Sequence, residues 1–441
     1  MRATELARAV RAGERSAVSV IELCLNRVTA RDAGFNAVTR LLADRALAQA
    51  RRIDEVVASG GDPGPLAGVP FGIKDLFDVE GLVTHAGSRV LADEPAAMQD
   101  AVLVHRLIEA GAIPLATTNM DEFAYGFATD NAHHGLTRNP HDTTRLAGGS
   151  SGGSAAGVAA GYFPLSLGSD TNGSIRVPAS LCGVWGLRAT QNRLPTEGSF
   201  PFVASLDTVG PFTASAADMR VTMEVLAGET LARVETDGLR LARLGGWFAT
   251  DVSSEMQAAL DELCRALQVR REITLPEVAA ARAAAFVISA SEGGALHLDR
   301  LRRQAALYDP AVRDRLLAGA LVPAPSVFRA HKLRRWFRAR MHEAFETADL
   351  LIAPAVIGEA PLIENPFLTI GGKPAPARAN LGLYTQPLTV AGFPVLTVPL
   401  AVEGLPLGAQ IVAPPGREDR LIAFGEALER SGLARARILE D

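Results

Sequence analysis

Cysteine is nearly absent: Cys24, Cys182 and Cys264 are the only three in 441 residues, far apart and without a CxxC pair. That excludes a disulfide framework and a cysteine-built zinc site, and predicts buried thiols in a reducing compartment. No run of about 18 apolar residues occurs, so no membrane-spanning helix is expected. A basic excess is missing too, with 44 Lys and Arg against 49 Asp and Glu and a formal charge of −5. Nucleic acid and anionic membranes are therefore not expected partners. The opening MRATELARAVRAGERS lacks the apolar centre of a secretory signal and reads as an amphipathic helix, which makes the cytoplasm the expected location. Lysine is the scarcest charged residue. Only Lys74, Lys332 and Lys373 stand among the 44 basic residues, and a lysine, unlike an arginine, can shed its proton when buried.

What is present is an ordinary globular composition, 48% hydrophobic and 21% charged, long enough to bury a large core. Residues 69–73 read as a buried strand that delivers Lys74 at its end. Ser19-Val20-Ile21-Glu22 fits a capping box, a second helix runs over about 44–59, and Asp100 is placed to cap a third over 101–110. "AIPLATT", "YFPLSLGSD", "LRLARLGGWF" and "DLLIAPAV" read as strands, and Ser215 opens a further helix. Residues 276–347 are largely helical, "FPVLTVPLAVEGLPLGAQIVA" reads as a hairpin around Glu403-Gly404, and a last helix covers about 418–431. The Pro/Gly-rich stretch 355–378 is the loop or lid candidate. This alternation predicts an α/β fold, one mixed β-sheet covered by helices. A single domain over 1–441 is expected, with a helical segment of about 1–60 packed on it.

Two polar blocks stand out. "LAGGSSGGSAAG", residues 146–157, leads straight into a helix and a strand, unlike a flexible linker. It lacks the Gly-Lys-Ser/Thr of a phosphate loop and the spacing of a dinucleotide fingerprint. A tight backbone presenting hydroxyls at a helix N-terminus remains. The second block, "GSDTNGSIRVPAS", places a serine in a turn after a strand, where consecutive N–H groups can converge on an oxyanion. Neither block, nor Lys74 in "GIKDLF", is decisive alone.

Together they resemble the amidase signature family, whose mark is a block like "GGSSGGSAAGVAAG" followed by one like "LGSDTNGSIRVPASLCGVWGL". The likeness runs from "GVPFGIKDLFDVEG" through "TTNMDEFAYG", "TRNPHD" and "GSFPFVASLDTVGP" to "TQPLTVAGFPV". It implies the family fold and hydrolysis of linear amides, with no metal or cofactor. Carried over by position, the catalytic lysine falls on Lys74, the bridging serine on Ser150 and the nucleophile on Ser174, with a cis peptide at Gly149–Ser150. A neutral Lys74 would draw a proton through Ser150 from Ser174 as Ser174 attacks the carbonyl, and water would hydrolyse the acyl-enzyme. The N–H groups of Thr171, Asn172, Gly173 and Ser174 would hold the oxyanion. Ser151, Ser154, Asp170 and Arg176 are expected to support the network. His133 and His134 are expected to line a pocket or the surface, not to form a Ser-His-Asp site.

Asn172, "MDEFAYGF", "LGGWF" and "AAFVISASEGGALHLDRLR" are similar to the branch of the family that cleaves 1-carboxybiuret. The implied substrate is a small, anionic, urea-like amide whose hydrolysis releases ammonia. Arg188-Ala189-Thr190 stands where the family has Lys-Pro-Thr, which leaves the three catalytic positions intact but not the substrate assignment. A general small-amide or aryl-amide hydrolase, the glutaminase component of a transamidation complex, and a binding protein that kept the fold are the alternatives. An anionic substrate calls for a cation, and Arg300, Arg302 and Arg303 are the candidates, with Tyr125 and Gln386 as pocket residues. The resemblance also implies a small helical partner subunit, and a homodimer or a heterotetramer is the expected assembly.

Overall fold

Residues 2–440 are described by a computed structural model. Short runs rich in Val, Ile and Leu build an 11-stranded sheet. In chain order its strands are β1 (Val38–Leu41), β2 (Pro70–Lys74), β3 (Ile113–Thr118), β4 (Leu165–Ser169), β5 (Trp185–Arg188) and β6 (Val209–Thr213). β7 (Leu241–Leu244), β8 (Arg271–Ile273), β9 (Leu350–Pro354), β10 (Val395–Pro399) and β11 (Gly408–Val412) complete it. Across the sheet the order is β1-β3-β2-β4-β6-β5-β10-β11-β9-β7-β8. β2 runs parallel to β3 and β4, whereas β4–β6, β6–β5 and β10–β11 are antiparallel. The expected mixed sheet covered by helices is what forms. Every residue of β2, β3 and β4 is buried, as befits strands covered on both faces.

The register of β2 on β4 sets the site. Ile73 lies opposite Leu167, so Lys74, at the end of its strand, arrives beside the end of β4. The helix Gly152–Ala159, all eight residues buried, packs on β2, β4 and β6 directly after the Gly/Ser block. The helices Pro310–Ala320 and Ala324–Thr347 both pack on Val278–Gln304. Ala17–Phe35 and Ala43–Ala58 pack together against the β1–β3 edge. The three cysteines are buried thiols. Among the described residues, no helix is long and apolar enough to cross a membrane.

Three local expectations are corrected. The first capping serine is Ser16, whose Oγ accepts from Ser19 N–H at 3.3 Å; Ser19 lies inside the helix and donates to Ser16 O. Asp100 caps nothing, because Arg45 and the Glu80 amide claim its carboxylate, and the helix Val102–Glu109 begins without a side-chain cap. The 355–378 stretch is not all loop: it holds the hairpin Phe367–Ile370/Lys373–Pro376.

Candidate active site

Lys74 is wholly buried, with Nζ 2.7 Å from Ser150 Oγ and 2.8 Å from Ser169 Oγ. Burial lowers its pKa to about 7, against the opposing pull of Asp121, Asp170 and Asp207. An amine that carries its proton past pH 10 in water is therefore substantially neutral near pH 7. The Gly149–Ser150 peptide is cis. Asp121 N–H donates to Ser150 O at 3.2 Å, while Asp121 Oδ2 accepts from the Ala128 and Thr129 amides and so fixes the neighbouring loop.

Ser151 ties the Gly/Ser block to both neighbours. Its Oγ donates to Ser169 O at 3.1 Å, and its amide donates to Ser174 O at 3.3 Å. Ser154 lies deeper, donating to Leu167 O at 2.9 Å and sharing a hydrogen bond with Thr118. Asp170 organises the turn that carries Ser174. It accepts from Gly173 N–H at 2.7 Å and Ile175 N–H at 3.2 Å, and is gripped by both arms of Arg176. Burial alone would raise the Asp170 carboxyl, but Arg176 and Arg188 outweigh it and hold it far below the usual range. Arg176 also reaches Thr385 O and Gln410 Oε1, so the turn is anchored to a helix and to β11.

The amide at Gly173 is thereby committed to Asp170, which removes it from the predicted oxyanion donors. No hydrogen bond among the described residues engages the amides of Thr171, Asn172 or Ser174. Ser174 is 2% exposed and lines a small cavity with Thr171, Asn172, Tyr125, Phe286, Ser289, Arg315 and Gln386. Tyr125 and Gln386 lie at this cavity. Arg300 and Arg302 do not: they pair with Glu94 and Asp299 away from this cavity, and Arg303 is exposed. The cation at the cavity is Arg315, its guanidinium 3.6 Å from the Tyr125 ring centre and bonded to Tyr125 O at 2.9 Å. His133 bonds to buried Glu122 at 2.9 Å, and His134 lines a separate cavity with Asp75 and His85.

Sequence reasoning missed Ser169, Asp121 and Arg315. Ser169 belongs to the "LGSD" run, and the parallel pairing of β2 with β4 is the signal that places it beside Lys74.

This fold, with a buried amine and two serine-bearing glycine turns meeting at strand ends, is that of an amide hydrolase. The chain belongs to the Amidase family, whose model matches residues 19–422. It is 43% identical to AtzE, a 1-carboxybiuret hydrolase subunit of Pseudomonas sp. (strain ADP), covering 99% of each chain. It is 34% identical to a glutamyl-tRNA(Gln) amidotransferase subunit of Chloroflexus aurantiacus, covering 96% of this chain and 94% of that one. Among solved structures, an inhibitor-bound complex of an s-triazine catabolic enzyme superposes with a TM-score of 0.95 at 43% identity, over 99% of this chain and 100% of that one. The 6-aminohexanoate cyclic dimer hydrolase bound to its substrate superposes with a TM-score of 0.85 at 27% identity, over 98% and 97%.

Proposed function

We propose that the chain hydrolyses a small urea-like amide, 1-carboxybiuret or a close analogue, through a Lys74–Ser150–Ser174 relay. The observation that carries this reading is the buried Lys74 amine 2.7 Å from Ser150 Oγ. Neutral Lys74 takes the proton of Ser150, Ser150 takes that of Ser174, and the freed oxygen attacks the amide carbon. The amides of Thr171, Asn172 and Ser174 receive the oxyanion. Collapse of the tetrahedral intermediate breaks the C–N bond, and the relay run backwards protonates the leaving nitrogen as ammonia. Water, deprotonated through the same relay, then cleaves the acyl-serine. Asp170, Arg176 and Ser151 hold the turn in place and take no proton.

Arg315 supplies the cation that an anionic substrate requires, and Tyr125 and Gln386 complete the small cavity. The similar 1-carboxybiuret hydrolase and amidotransferase chains are both subunits by name, which supports a partner subunit here too, a small helical one in a heterotetramer, with a homodimer as the alternative assembly. The cytoplasm fits a chain with three buried cysteines and no disulfide among the described residues.

The test is ammonia release from 1-carboxybiuret, biuret, allophanate, glutamine and aryl amides, with Ser174→Ala as the control. Turnover of carboxybiuret above the rest supports the substrate. Equal or better turnover of glutamine or aryl amides rejects it, while labelling of wild type but not Ser174→Ala by a fluorophosphonate would still support the nucleophile.

A further inference from the structure

The Lys74 amine touches two hydroxyls, not one. Nζ is 2.7 Å from Ser150 Oγ and 2.8 Å from Ser169 Oγ, and the relay uses only the first. A neutral primary amine has two N–H donors and a single lone pair. To act as a base towards Ser150, that lone pair must point at Ser150. Ser169 is fixed well enough to decide the matter: its carbonyl accepts from Ser151 Oγ at 3.1 Å, and Val209 of β6 pairs with it across the sheet. Ser169 also borders a second cavity of about 110 Å³ with Thr171, Asn192, Phe200 and Asp207. A serine hydroxyl has two acceptor lone pairs beside its O–H donor, so with the O–H turned into that cavity an oxygen lone pair still faces Lys74.

We infer that Ser169 is a positioning residue for catalysis: it accepts an N–H from neutral Lys74 and so aims the amine's lone pair at Ser150. The inference rests on the relay proposed above and adds the element that orients its base. After proton uptake the ammonium donates to both hydroxyls, so the Ser169 contact persists through the cycle. Around Lys74 the charged groups are Asp121, Asp170 and Asp207, and none of them hydrogen-bonds to Nζ in the structure. Orientation therefore falls to the hydroxyls.

The experiment compares wild type, Ser169→Ala and Ser169→Thr on the best amide of the panel across pH. Loss of the hydroxyl lets the lone pair wander, so Ser169→Ala should lower kcat about 10-fold with KM unchanged. Charge-assisted bonds are the stronger ones, so the ammonium loses more than the neutral amine, and the acid limb should move to lower pH. Ser169→Thr keeps an oxygen in place and should restore both kcat and the limb. Wild-type kcat and limb in a folded Ser169→Ala variant, or no recovery in a folded Ser169→Thr variant, overturns the inference. Should Ser169→Ala fail to fold, Ser169→Cys, a weak acceptor of similar size, is read by the same criteria. Lys74→Met separates the two levels: turnover by that variant rejects the relay itself, whereas an unchanged Ser169→Ala profile rejects only the positioning role.

Discussion

Arg176 and Asp170 meet six residues apart in the chain with both side chains completely buried, Nε to Oδ2 at 2.9 Å and a second guanidinium arm to Oδ1 at 2.9 Å. Such a pair costs much to desolvate, so its value lies in what it holds. Here it holds the turn that presents Ser174 and three unengaged amides. Arg188 adds a third contact from β5, on the Asp170 carbonyl and carboxylate.

Removing Arg176 leaves a buried carboxylate that Arg188 alone must balance. Arg176→Met should cost about 3–5 kcal/mol of unfolding free energy, read from urea melts. Arg176→Lys should recover little, because one ammonium cannot reach Asp170, Gln410 and Thr385 together. Near-wild-type stability in Arg176→Met would show the pair to be dispensable.

The turn that carries Ser174 makes a steric prediction as well. Gly173 has φ +134°, and a Cβ there would sit 2.1 Å from Thr385 Oγ1, whose own bond to Asn172 O at 2.6 Å fixes it. Gly173→Ala should therefore displace the turn, cutting kcat more than 10-fold and lowering stability by about 1–3 kcal/mol. Paired Thr385→Ser should not recover it, because serine keeps the Oγ that the new Cβ would meet and the backbone conformation stays unfavourable for a side chain. Kinetics and urea melts on both variants check this.

Arg315 makes a specificity prediction. Arg315→Met keeps the stem but removes the charge beside Ser174. KM for an anionic amide should rise about 10- to 100-fold, while KM for a neutral amide of similar size stays within about threefold. Equal losses on both substrates would mean that Arg315 serves only to pack against Tyr125.

Much of this was legible in the chain. The buried strand ending at Lys74 was readable from a short apolar run behind a Pro/Gly turn, and Ser215 was readable as a cap because its Oγ does accept from Asp218 N–H. What sequence could not supply was partners. Asp100 looked like a cap until Arg45, 55 residues away, claimed it. Arg300 and Arg302 looked like the substrate cation because they lie on an arginine-rich helix. Only the packing of Pro310–Ala320 turns Arg315 towards Tyr125 instead. Lys74 and Ser169 are 95 residues apart. Their meeting is set by strand register, which a periodic pattern does not encode.

The lowered pKa of Lys74 ties activity and stability to the same proton, in opposite directions. The proposed relay requires the neutral amine, so kcat/KM should rise with pH through a single ionisation at about 7 and level off above it. For stability the sign follows from proton counting. Between about pH 7 and the unfolded value of 10.5, the unfolded chain holds the proton and the folded chain does not, so wild-type stability rises with pH across that window. Below pH 7 the buried ammonium imposes its whole penalty, roughly 4–5 kcal/mol. Lys74→Met removes that penalty but leaves Ser150 and Ser169 without their shared partner, at about 1 kcal/mol each. The variant should thus be inactive yet more stable than wild type by about 1–3 kcal/mol at pH 6, with the advantage gone by pH 10. Urea melts at the two pH values decide it: an advantage that does not shrink with pH would mean that Lys74 keeps its ordinary ionisation, and the relay would lose its base.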